Sequence, residues 1–171
     1  IFLNGLPNVS AIPSSSIICY GSSAIINASG ANTYNWSTGA TSASTSVSPT
    51  VTTTYTLTGN GLNGCSNTVT NTIIVDSPTI TANSGAICSG SIFTITPSGA
   101  NTYTTSGGSN VVSPIATTSY TVIGESINGC TNTAVSNVTV NALPIVNATT
   151  NNTLICTGQT ASLTVTGATS Y

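Results

Sequence analysis

Few side chains in this sequence can do covalent or acid–base chemistry: five cysteines, at Cys19, Cys65, Cys88, Cys130 and Cys156, and two acids, Asp76 and Glu125. There is no Lys, Arg or His. General acid–base catalysis needs a titratable group set against a substrate, usually with a partner. Asp76 and Glu125 fall at non-equivalent places of an internal repeat, aligned with Asn141 and Asn60, and do not read as a working pair. Without His or Lys nothing activates the many hydroxyls, so Ser/His/Asp and Ser/Lys schemes fail. Two isolated carboxylates fall short of the oxygen set calcium prefers, and zinc would lack both histidines and a Cys-x-x-Cys pair. The expectation is no enzyme, no cofactor and no metal. What remains is cysteine oxidation, which implies disulfides and an oxidising compartment outside the cytoplasm.

Those cysteines sit in a nearly neutral chain of 171 residues with a formal net charge of −2. Thr, Ser and Asn keep its surface wet. Lacking cations, it has nothing to neutralise phosphates or pair with anionic lipid, which argues against nucleic-acid binding and electrostatic membrane docking. No apolar run approaches the roughly 18 residues of a membrane helix, so membrane insertion is not expected. Ile1-Phe2-Leu3 is too short for a signal core, and the chain reads as a mature product or a window from something longer.

The elements that must position the cysteines are legible as a repeat. Thr53 to Cys65 recurs as Thr118 to Cys130, each a strand running into Asn-Gly-Cys. Asn-Gly between β-rich runs predicts a hairpin with a type I′ turn. Ile18-Cys19-Tyr20-Gly21 recurs as Ile87-Cys88-Ser89-Gly90 and Ile155-Cys156-Thr157-Gly158. Ser29 to Tyr34 recurs as Ser98 to Tyr103 and as Thr166 to Tyr171. Period-2 alternation, as in Thr54-Tyr55-Thr56-Leu57-Thr58, predicts half-buried strands throughout, and no segment has helical spacing. Inward positions are expected at Ala24, Ile26 and Ala28, at Phe93 and Ile95, and at Ala161, Leu163 and Val165, with Tyr55 and Leu57, or Tyr120 and Val122, on the hairpins.

The fold class predicted is all-β: tandem small Ig-like sandwiches of about seven short strands. Residues 1–7 match 138–144 and read as the last strand of a preceding module. Module one then spans 8–77, module two 78–143, and a truncated module three 144–171. Repeat symmetry favours pairing within modules, Cys19 with Cys65 and Cys88 with Cys130, each bond worth about 4 kcal/mol in the chain-entropy model. Pairing between modules is the rival, and the partner of Cys156 is expected beyond Tyr171. Trp36, replaced by Thr105 in the second copy, reads as a core tryptophan, with a ligand-facing sugar platform as the other reading.

Ile-Cys-x-Gly, the segment Ser29 to Gly39, Pro49 to Gly59 and Asn-Gly-Cys together resemble the tandem Ig-like or PKD-like modules of large bacterial surface proteins, common in Bacteroidota adhesins and type IX-secreted proteins. Ser37-Thr38-Gly39 stands where PKD domains carry an acidic signature, so the resemblance is to the Ig-like kind. It implies an extracellular or cell-surface structural repeat, a fibre, stalk or adhesin shaft that self-associates. The alternatives are a glycan- or ice-binding module using Thr-rich faces such as Thr52 to Thr58, and accessory repeats of a larger secreted enzyme.

Overall fold

The computed structural model describes residues 4–170. The strand expected at the start of the chain therefore falls partly, at Ile1 to Leu3, outside the described residues, as does Tyr171; residues 4–7 carry no strand. The chain is all-β, with no helix among the described residues.

The first sandwich has two sheets. One is ordered β1 (Ser10–Pro13), β3 (Ala24–Ser29), β5 (Ser44–Val47). The other is ordered β2 (Ile17–Cys19), β7 (Ser66–Asp76), β6 (Thr53–Asn60), β4 (Thr33–Trp36). Alternation sends one face of each sheet inward. Ala24, Ile26 and Val47 meet Ile18, Trp36, Tyr55, Leu57 and Ile73 in one buried cluster. The arrangement is Ig-like, a small sheet packed on a sheet built around the last hairpin. Most neighbours are antiparallel, but β2 runs parallel to β7, with Ile17 opposite Ile74 and Cys19 opposite Asp76.

The second sandwich repeats the larger sheet as β9 (Gly85–Cys88), β15 (Thr131–Asn141), β14 (Thr118–Glu125), β12 (Thr102–Thr105), again with a parallel pair that sets Cys88 opposite Asn141. Its smaller sheet is broken into β8 (Thr81–Ala82) with β11 (Pro97–Ser98), and β10 (Phe93–Thr94) with β13 (Val111–Val112). Pro97 has no N–H for a ladder. The Asn83 side chain spans the gap, accepting from Thr96 N–H at 2.7 Å and donating to Thr94 O at 3.0 Å. Only Ile80, Ile95 and Val122 form the buried cluster here, where Thr105 replaces the tryptophan.

A final hairpin pairs β16 (Asn147–Thr150) with β17 (Leu163–Thr166). Leu163, expected to face inward, is 69% exposed, because no second sheet lies over it among the described residues.

The turns differ from the type I′ expectation. That type needs φ > 0 at both central residues, yet no non-glycine among the described residues has positive φ, and only Gly64 (φ 77) and Gly129 (φ 81) do in these turns. Gly64 N–H donates to Gly61 O at 3.1 Å while Gly61 N–H donates to Cys65 O at 2.8 Å. This is a three-residue loop closed by a left-handed glycine bulge. Asn63 serves differently: its Oδ1 accepts from Cys65 N–H at 3.1 Å.

Candidate functional site

The cysteine chemistry lies between the sandwiches. Cys19 is bonded to Cys130, with Cα atoms 5.3 Å apart at a sequence separation of 111. The expected pairs Cys19–Cys65 and Cys88–Cys130 do not form, and Cys65, Cys88 and Cys156 are free thiols. Strand direction is the reason. Cys65 precedes the start of β7, whereas Cys19, on the parallel β2, stands opposite its end. Eleven extended residues put roughly 35 Å between those ends, against the about 4.4–6.8 Å between Cα atoms that a disulfide allows. The same holds for Cys88, opposite the end of β15, and Cys130, just before its start. One end of each sandwich carries the Ile-Cys strand and the opposite end carries the Asn-Gly-Cys turn, so the two meet only across a junction.

Polar contacts hold that junction. Asp76, where β7 leaves the first sandwich, accepts through Oδ2 from Ser126 Oγ and Asn128 Nδ2, both at 2.7 Å. Ser126 Oγ in turn accepts from the N–H of Cys130 at 3.2 Å. Asn132 Nδ2 donates to Pro78 O at 2.9 Å, tying the linker to β15. The Ser126 hydroxyl and then the Asn128 amide hold the Asp76 carboxyl below its ordinary pKa, and desolvation opposes them only in part. Cys130 is buried, at 2% exposure.

The other expected site residues make no bond across this junction among the described residues. Trp36 is 3% exposed, with its indole N–H donating to Ser42 O at 2.9 Å; it is a core residue and presents no face to a ligand. Glu125 ends β14 and is exposed, its backbone O accepting from Asn101 N–H at 2.9 Å. Among the described residues no three His, Cys, Asp or Glu side chains gather as a metal site would need. No helix there is long and apolar enough to cross a membrane.

A second surface stands out by regularity. On the open face of the first large sheet, Thr54 is paired with Thr72, Thr56 with Thr70 and Thr58 with Thr68. The Thr54 and Thr72 hydroxyls are 2.8 Å apart. The second sandwich mixes Ser119 with Asn137, Thr121 with Val135 and Ile123 with Thr133 at the corresponding places.

No family model and no curated protein matches the chain. Solved structures that it is similar to include a calcium-stabilised adhesin with which an Antarctic bacterium reaches out and binds ice, at TM-score 0.37 and 14% identity over 86% of this chain and 52% of that one. A second is the N-terminal four Ig domains of Dscam1 isoform 6.44, at TM-score 0.31 and 11% identity over 96% and 60%. A third is SGBP-B of the Bacteroides ovatus mixed-linkage glucan utilization locus, in complex with a mixed-linkage heptasaccharide, at TM-score 0.23 and 18% identity over 86% and 46%. The chain thus spans less than two thirds of each of these structures, and at such scores the Ig-like assignment stands on the strand order itself.

Proposed function

We propose that the chain belongs to an extracellular structural array, a fibre, stalk or adhesin shaft of Ig-like sandwiches stacked end to end. The observation that carries this reading is the Cys19–Cys130 bond, which joins two sandwiches rather than stabilising one. Junctions between domains move by default unless their interface is large. A covalent bond backed by the Asp76 contacts removes that freedom, as suits a part that holds distance or transmits force. A disulfide also favours an oxidising, extracellular setting. The edge strands β4 and β12 carry no Lys, the usual guard against edge pairing, and net charge adds little repulsion, which favours lateral self-association. Electron microscopy of the native protein tests this. Filaments or shafts with an axial repeat of about 35 Å, the length of one long strand, are expected; dispersed compact particles would contradict it.

The threonine ladder favours a second reading, a face that binds glycan or ice. Replacing Thr56 and Thr70 by Lys should then abolish ice-growth inhibition or glycan retention while leaving the fold intact. Undiminished binding by that variant would dismiss the ladder.

A further inference from the structure

We propose that Cys65 and Cys88 are each half of another staple of the Cys19–Cys130 kind. Cys88 takes the thiol of an Asn-Gly-Cys turn from a further sandwich of this repeat docked beyond Asn141, and Cys65 takes an Ile-Cys thiol from one docked before Asn8. The proposal rests on the shaft reading and supplies its covalent joint.

The bonded pair defines what each half needs. Cys19 closes β2 opposite Asp76, with Tyr20 N–H on Asp76 O at 3.1 Å and Ser22 N–H on Cys19 O at 2.9 Å. Cys88 closes β9 opposite Asn141, with Ser89 N–H on Asn141 O at 2.9 Å and Ser91 N–H on Cys88 O at 3.0 Å. Its backbone setting is that of the bonded cysteine, and its thiol is exposed.

Cys65 matches Cys130 in the same way. Gly61 N–H donates to Cys65 O at 2.8 Å as Ser126 N–H does to Cys130 O at 2.8 Å. An independent observation concerns the chain that enters each sandwich. Asn67 Nδ2 donates to Pro7 O at 3.1 Å as Asn132 Nδ2 donates to Pro78 O. Asn63 Nδ2 donates to Gly5 O at 2.9 Å, and Cys65 Sγ lies 4.0 Å from Asn4 O. Asn4 aligns with Asn141 and Asp76, the two positions that face an Ile-Cys strand across a parallel pair. Cys65 is therefore already docked where a preceding Ile-Cys strand would bring its sulfur. Cys65 and Cys88 cannot serve each other within one copy, since they lie at the outward ends of the two sandwiches.

Closing a staple takes two protons and two electrons from the thiols, so a disulfide donor such as glutathione disulfide is required. One thiolate displaces a donor thiol to give a mixed disulfide, the second displaces the other, and the donor leaves as two thiols. The test is the disulfide map of the native full-length protein, alkylated in acid and digested without reduction. Cys88 should be joined to a peptide in which cysteine follows Asn-Gly, and Cys65 to one in which cysteine follows Ile, each product lighter by two hydrogens than its free peptides. If Cys19 is joined to Cys130 while Cys65 or Cys88 is recovered alkylated, or joined like to like, this proposal is overturned and the shaft reading survives. Absence of the Cys19–Cys130 product would overturn both.

Discussion

Asp76 is the carboxylate bonded across the junction, and its behaviour in acid follows from its partners. Its folded pKa is depressed by the Ser126 and Asn128 donors, so its contribution is fully present above the ordinary carboxylate range and fades as pH falls through the lower folded value. Amides of Ser126 to Cys130 should lose protection, measured against the intrinsic exchange rate at each pH, as pH falls through the acid range, and should do so less in an Asp76→Asn variant measured alongside. Equal pH dependence in both proteins would remove Asp76 from the account. Trp36 makes a different prediction. As a buried core residue its replacement by Ala should cost about 3–5 kcal/mol in urea unfolding, whereas a ligand-facing tryptophan would be lost with little change in stability.

At the scale of elements, the repeated close contacts are the places to probe. A Cβ on Gly59 would lie 2.6 Å from Val9 Cγ2 and 2.7 Å from Ala31 Cβ, and on Gly124 2.4 Å from Ile80 Cδ1. Gly59→Ala and Gly124→Ala should each destabilise by about 1–3 kcal/mol, read as a shift of the urea midpoint. On β7, Asn71 donates to Ala11 O at 3.3 Å across the sandwich but leaves its Oδ1 buried without a partner. The aligned Ser136 on β15 is fully buried and bonds Asn83 O at 2.6 Å. Asn71→Ser should therefore be neutral or raise the midpoint, since a buried unsatisfied acceptor costs about 1–3 kcal/mol; a clear loss would mean that filled volume outweighs the orphan oxygen. The strands and inward residues such as Ile26, Leu57, Ile95 and Val122 were legible because alternation reports burial directly. The turn type was misread because Asn-Gly suits both a two-residue loop and a three-residue loop with a glycine bulge. The cysteine pairing was misread because alternation says which face a residue takes and nothing about strand direction. Once Ile17–Cys19 runs parallel to β7, the within-module partner stands at the wrong end.

For the whole molecule, the two sandwiches are unequal and the staple couples them. The first has eight residues in its buried cluster and the second three. Closing a loop of this length is worth about 5 kcal/mol in the chain-entropy model. Tension applied at the chain ends would pass from Cys19 through the bond to Cys130 and bypass residues 20–129, which hold β3 to β14 complete. The most direct measurement is single-molecule extension of the chain with and without reductant. Reduction should release residues 20–129, spanning a sequence separation of 111 and about 390 Å of contour length. An extension unchanged by reductant, or a gain confined to two shorter within-sandwich loops, would contradict it.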